Sequence, residues 1–264
     1  MAAVAAFVDR YAERESALHR ADARAKFLGT VAYIFVVTST REGDWLALAL
    51  LLVPVIVLVG ISRLGYGFVL RRTFLALPFV AAALPLIFTR AGETVFTMPI
   101  VGWTASDEGL IAVASIMARS WVAVGVAAVF VACTPPAELL RALRWLRVPR
   151  LLVSTLFFTY RYLFVIGDEG QRMLRARASR SASMAGHRAG GSVTWRAKVA
   201  GHMVGSLFVR SLERSERVYA AMQSRGYSGE ARFLDERVLP RTELMWAIAL
   251  VAYGVLVQTA VRSW

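Results

Sequence analysis

The sequence predicts an all-α membrane protein of about five transmembrane helices, with a cytoplasmic helical insert between the fourth and the fifth. Three observations carry that prediction. Apolar residues make up 57% of the 264 positions and the mean hydropathy is +0.54, yet the formal net charge is +13. Several apolar runs approach the roughly 20 residues that a helix needs to cross a bilayer. The arginines gather in alternate gaps between those runs, and short loops rich in Lys and Arg stay on the cytoplasmic side.

The runs that predict spans are Phe27 to Thr40, Trp45 to Gly60, Thr73 to Thr89, Leu110 to Cys133 and, closing the chain, Leu244 to Ala260. Pro54, Pro78 and Pro85 lie inside them, where kinks are expected because neighbouring helices can satisfy the freed backbone groups. Arg10, Arg14, Arg20, Arg24 and Lys26 precede the first span and put the N-terminus inside. Arg63, Arg71 and Arg72, and then Arg141, Arg144, Arg147 and Arg150, mark two further inside loops. The alternate loops, REGDW and RAGETVFTMPIVGWTASDEG, are poor in positive charge, and the C-terminus falls outside. The N-terminal MAAVAAFVDRYAERES lacks the basic and apolar regions of a removable signal peptide.

The expected organisation is therefore a cytoplasmic segment 1–26, a four-span membrane region 27–133, an insert 134–242 and a final transmembrane helix 243–264. Within the insert, the segment 151–167, LLVSTLFFTYRYLFVIG, is nearly long enough to cross. Crossing would strand the very basic region behind it on the outside, so it reads as a helix lying at the interface or against other helices. Before it, TPPAELLRALRWLRVPR predicts a short basic amphipathic helix ended by Pro149, with Leu139, Leu140, Leu143 and Leu146 on one face. After it comes a charged helix that gives way to a linker near Gly186 to Ser192. The next helix should run from Trp195 to Gln223, with Val204, Leu207, Phe208, Ser211, Leu212, Ser215, Tyr219 and Met222 as its apolar or small-residue stripe.

Both of these helices close on similar triplets, Ser179-Arg180-Ser181 and Ser224-Arg225-Gly226. Gly226 suits the left-handed position just past a helix end. An Arg at a helix tip with no bulk beside it can reach into a groove and pair bidentately with a carboxylate. Arg is so frequent in this chain that the same triplets also fit ordinary positive-inside charge, and the residues alone leave both readings open.

Other chemistry is not signalled. There is no G-x-x-x-x-G-K-[ST] loop for a nucleotide, since the only lysines are Lys26 and Lys198. His19, His187 and His202 are isolated and read as surface residues, so no metal is expected. Cys133 is alone, and no nucleophile–base pair suggests an enzyme. The spans hold no intramembrane carboxylates; Arg119, the one ionisable residue at depth, is expected to snorkel to the outer headgroups. Small residues in AVGVAAVFVAC fit close packing against another membrane protein.

The run ALHRADARAKFLG before span one, the EGQRMLRARASRS stretch and above all ERSERVYAAMQSRGYSG resemble the T components of energy-coupling factor transporters, most nearly the CbiQ-type subunit of cobalt importers. The resemblance covers the N-terminus and the insert, with compatible spans over nearly the full length. It implies a bacterial inner-membrane scaffold without catalytic activity, whose insert carries two coupling helices. The arginines at their ends, each docking in a groove of one of two ATPase subunits, are placed by the resemblance at Arg180 and Arg225. The resemblance implies Ala or another small residue before the Arg and often Gly after it, from which Ser179 and Ser181 depart somewhat, and Arg177 in ARA offers a competing register. ATP and Mg²⁺ would be bound by the ATPases, with no cofactor on this chain. A substrate-binding membrane subunit of a metal or vitamin importer would lie against Leu156, Phe157, Leu207, Phe208 and Leu212; the resemblance puts cobalt first as the substrate, with nickel or a vitamin behind it. Two rival readings are a stand-alone membrane transporter and a basic anchor for anionic lipid or nucleic acid, which the net charge alone also permits; on the favoured reading no nucleic acid is bound.

Overall fold

The computed structural model describes residues 16–90, 94–97, 104–180, 192–229 and 241–262. These fall into two units: one holds the described residues up to Trp145 together with those from Arg241 onward, the other those from Leu146 to Gly229.

The first unit begins with a single helical turn, α1 (Ala17–Arg20), and continues into α2 (Ala23–Thr38) and α3 (Trp45–Ser62). Ser16 and Asp22 cap α1 and α2 by accepting from the backbone N–H groups of His19 and Arg24. His19 is buried, its Nδ1 2.7 Å from Ser16 Oγ, which corrects its expected place at the surface. α3 ends at Arg63, which takes up left-handed backbone at φ 54°.

Pro54 sits inside α3 without breaking it. Lacking an N–H, it cannot bond the carbonyl of Leu50, and its ring crowds that turn. The hydroxyl of Tyr253 from the last helix donates to Leu50 O at 3.1 Å, and the fully buried Tyr33 of α2 donates to Leu51 O. The Tyr253 phenol thus replaces the missing helical partner, and the Tyr33 phenol adds a bond at the next carbonyl, tying three helices together.

The run read as a third span does break. After α4 (Tyr66–Thr73), it forms a 3₁₀ turn at Phe74–Ala76, α5 (Leu77–Ala83) and α6 (Leu86–Thr89). Pro78 and Pro85 withdraw two N–H groups within eight residues, and tighter bonds from Leu77 to Phe74 O and from Leu84 to Ala81 O take over. A two-stranded antiparallel hairpin, β1 (Thr94–Thr97) and β2 (Thr104–Ser106), follows, an element outside the all-helical expectation.

α7 (Asp107–Cys133) opens on a Ser106 cap, with Asp107 and Glu108 in the first turn favouring its N-terminal dipole. Gly109 lets it cross α6 closely: a Cβ there would stand 2.7 Å from Ile87 Cα. The small residues of α7 serve packing inside the chain, contrary to their expected role. Gly125 faces Val55, and Val122, Val126, Val129, Ala132 and Cys133 join Tyr33, Val37, Leu51, Val59 and Val257 in the core. Lys26 Nζ caps the other end of α7 by donating to Cys133 O at 3.1 Å.

α8 (Pro136–Trp145) is the expected short amphipathic helix, with Leu140 and Ala142 buried. It stops at left-handed Arg147, and Pro149 helps open the following helix instead of ending this one. α11 (Arg241–Arg262) packs on α2, where Gly254 permits contact with Val36 and Gln258 bonds Val36 O and Thr40 Oγ1.

The second unit consists of two 31-residue helices, α9 (Arg150–Arg180) and α10 (Val193–Gln223). The apolar segment 151–167 and the charged stretch after it, expected as separate pieces, are one continuous helix. By length and composition four helices can cross a membrane: α3, α7, α9 and α11. The first expected span is a 16-residue helix, short of a crossing length, and the third is in pieces. The chain is thus a largely helical, multi-pass membrane protein.

Candidate functional site

α9 and α10 run antiparallel, as the order of their contacts requires. Arg177 lies over the Trp195 ring at 5.9 Å; Gly170 faces Leu207 across about a van der Waals distance; Phe158 meets Tyr227 with ring centroids 6.1 Å apart. As the number falls on α9 it rises on α10. Arg180, which ends α9, is therefore beside the start of α10, while Arg225 is at the opposite end near Phe158. From Phe158 to Arg180 the helix rise gives roughly 33 Å.

The end of α10 is built in detail. Gly226 has φ 79°, the left-handed conformation. Its N–H bonds Gln223 O at 3.0 Å, and the N–H of Tyr227 reaches back to Met222 O at 3.0 Å. These two bonds form a Schellman closure, which occupies carbonyls that a helix end otherwise leaves open. Tyr227, the first side chain past the glycine, then packs edge-on against Phe158. Arg225 is exposed at the turn, between a fixed helix and a fixed ring.

The two motifs share a further detail. Ser179 Oγ donates to Ala176 O at 2.9 Å, and Ser224 Oγ donates to Ala221 O at 3.0 Å. Each hydroxyl folds back three residues onto its own helix, leaving the following Arg as the projecting group. Each serine thus keeps a small profile beside its Arg. Arg180 is exposed; Ser181, the third residue of its motif, lies outside the described residues, as do His187 and all of the linker except Ser192.

The apolar stripe expected on α10 divides in two. Met203, Leu207, Ser211, Arg214, Val218 and Met222 are half-buried, whereas Val204, Phe208, Leu212, Ser215 and Tyr219 are exposed, Phe208 at 68%. Among the candidate partner-contact residues, Leu156, Phe208 and Leu212 are thus free surface, Leu207 faces Gly170, and Phe157 is half-buried with its ring against Phe158.

Glu169 is the residue that sequence reading passed over. Its carboxylate bonds Arg172 on its own helix at 2.6 Å and Arg210 of α10 at 3.2 Å, with Arg214 at 3.9 Å. It lies in the charged half of α9, outside the apolar stretch 151–167. The hydrogen bond from Arg172, then that residue's charge and the bond and charge of Arg210, hold the Glu169 carboxyl below the usual carboxylate range, against a smaller opposing effect of partial shielding. An acid in DEGQRMLRAR carries no signal of partners more than a full helix away. Tyr227 was more legible, because the position after a left-handed glycine commonly makes an apolar contact.

Arg119 also departs from expectation. Nε and Nη2 are shielded and have no hydrogen-bond partner among the described residues, so these atoms do not reach headgroup water as a snorkelling side chain would. Among the described residues no group of three His, Cys, Asp or Glu is placed to hold a metal ion.

The profile of the cobalt transport protein family CbiQ matches residues 14–234. The chain is similar to the cobalt transport protein CbiQ of Rhodobacter capsulatus, 29% identical over 77% of this chain and 83% of that one. It is also similar to the energy-coupling factor transporter transmembrane proteins EcfT of Thermotoga maritima, at 27% over 95% and 91% of the two chains, and of Lacticaseibacillus paracasei, at 26% over 95% and 94%.

Proposed function

Because the chain belongs to the CbiQ cobalt transport protein family, and so is a non-catalytic transmembrane coupling subunit of an ATP-driven energy-coupling factor importer, we propose that Arg180 and Arg225 are its two ATPase-docking residues and that cobalt is the ion imported. Each Arg, with its neighbours Ser179 and Ser181 or Ser224 and Gly226, inserts into a groove of one of two ATPases, which hold the ATP and Mg²⁺.

The observation that carries this reading is the end of α10: an exposed Arg225 held between a Schellman closure and a ring packed on Phe158. A groove carboxylate meets a guanidinium whose backbone is already fixed, so docking loses little conformational freedom. Arg180, at the opposite end of the pair, suits a second ATPase. Leu156, Phe157, Leu207, Phe208 and Leu212 form the contact for the substrate-binding membrane subunit, and the exposed Phe208 and Leu212 are its first points of contact.

In this reading segment 1–26 is cytoplasmic, 27–133 is membrane-embedded, 134–242 is the coupling insert and 243–264 is the last span. The segment 151–167 does not cross. The membrane is the bacterial inner membrane, with the N-terminus cytoplasmic and the C-terminus outside, because the Lys and Arg clusters fall on one side.

The test is co-purification with co-expressed ATPases in detergent, comparing wild type, Arg225→Glu, and Arg180→Glu with Arg225→Glu. Stepwise loss of the ATPases with each charge reversal is expected. Full retention by the double variant sinks the docking assignment.

A further inference from the structure

We propose that Glu169 is a positioning residue, which sets the axial register of α10 on α9 and thereby the spacing of the two Arg-tipped ends. The consequence for transport rests on the docking reading above; the register itself does not.

Three observations support it. First, the seam between the helices is thin: α10 has no buried residue along its 31 positions, so apolar packing offers little resistance to sliding. Second, both helices are strongly basic. α9 carries Arg172, Arg175, Arg177 and Arg180 in its last turns against the acids Asp168 and Glu169, and α10 carries Arg196, Lys198, Arg210, Arg214 and Arg217 against Glu213 and Glu216, so cations outnumber acids on both helices. Third, Glu169 is an acid that reaches across from one helix to the other. Its side chain is 18% exposed and meets guanidinium groups from both helices, with one carboxylate oxygen toward Arg210 and the other toward Arg172 and Arg214.

The other contacts along the pair are less demanding. Two rings about 6 Å apart, or a guanidinium over an indole, tolerate displacement along the axis, whereas carboxylate–guanidinium bonds weaken steeply once distance and angle are lost. The arginines of the cluster are 41–59% exposed, so the network adds little to overall stability and its removal should not unfold the chain. Its effect is on position. With the acid gone, Arg172, Arg210 and Arg214 lose the carboxylate they share, and α10 can shift by a helical turn, about 5.4 Å.

The experiment uses the full chain co-expressed with its ATPases, in a Cys133→Ala background, with spin labels on cysteines replacing the exposed Ala178 and Ala221. Their separation runs along the helix axes and follows a slide one for one. Glu169→Gln is expected to widen the measured distance distribution by about one turn, roughly 5 Å. Arg210→Ala with Arg214→Ala should do the same, and the triple variant should add nothing further. Arg172→Ala, which removes only the same-helix partner, should leave the distribution narrow. Should Glu169→Gln not yield folded protein, the Arg210/Arg214 variant carries the same test from the α10 side.

An unchanged distribution in both variants, or widening by Arg172→Ala alone, overturns the proposal. Retention of the ATPases by each variant is measured on the same samples. Widening with ATPases retained, together with loss of substrate imported per ATP hydrolysed on reconstitution, is the full expected result. Widening in a chain whose Arg180 and Arg225 reversals leave ATPase binding intact upholds the register and removes only the docking reading.

Discussion

Tyr253 donates its hydroxyl to the carbonyl of Leu50 at 3.1 Å, the acceptor that Pro54 leaves without its helical donor. In a bilayer no water replaces a lost partner at that depth, so the bond joins a local defect in α3 to the placement of α11. Tyr253→Phe should lower stability in detergent by about 1 kcal/mol. In a Pro54→Ala background, where the backbone regains the N–H that proline lacks, the same substitution should cost close to nothing. Equal losses in both backgrounds, read by denaturant titration, would show that the phenol serves only packing.

Two glycines give opposite expectations. A Cβ on Gly109 would meet the backbone of Leu86 and Ile87 at 2.7–2.9 Å, and backbone cannot rotate aside. Gly109→Ala should therefore destabilise by about 1–3 kcal/mol. Gly205 lies mid-helix in α10 with nothing within 4 Å, so Gly205→Ala should stabilise by up to about 1 kcal/mol through helix propensity. Thermal unfolding of the two variants, one moved down and the other up, checks both.

The left-handed Gly226 links local geometry to docking. Gly226→Val is strained at that φ and should open the turn beyond Arg225, weakening ATPase co-purification while the helical circular dichroism persists. Gly226→Asn, which tolerates the conformation better, should retain most of the binding. Undiminished retention by the valine variant would mean that the turn does not present Arg225.

The depressed Glu169 carboxyl predicts the acid response of the helix pair. A carboxylate whose folded pKa lies below its unfolded value contributes fully above the unfolded value, about 4.3, and loses that contribution as pH falls through the folded one. The α9–α10 register should thus survive below the ordinary glutamate range and loosen only at lower pH. In Glu169→Gln this step should be absent, as amide exchange along α10 would report.

Most of the helices were legible because one physical signal governs them. Trp45 to Gly60 and Leu110 to Cys133 match α3 and α7 within a few residues, and Trp195 to Gln223 matches α10 nearly end to end, since hydropathy and caps act locally. The third run was not, because two prolines so close together turn a kink into breaks, and apolar content is blind to the difference. Charge rules separated 151–167 from its charged continuation, yet a helix passes from apolar to charged residues without interruption when nothing in the backbone stops it. At the site, Arg225 and Gly226 were visible as a local motif. Phe158, and the arginines that meet Glu169 from 41 residues along the chain and beyond, were not, because only the antiparallel pairing brings them together.

That antiparallel pairing has a mechanical consequence. Measured from the Glu169 crossing, one arm extends about 16 Å to Arg180 and the other about 22 Å to Arg225, in opposite directions. Like the ends of a nearly straight line, the two tips keep their span almost unchanged when the helices scissor: a tilt of about 20° shortens a span of roughly 38 Å by less than about 1 Å, on arms of those lengths. Scissoring instead turns the direction in which each tip points. The pair is therefore a gauge of fixed length and adjustable angle, and two ATPases closing on it would meet little resistance to reorienting α10 and much greater resistance to changing the distance between their own docking grooves.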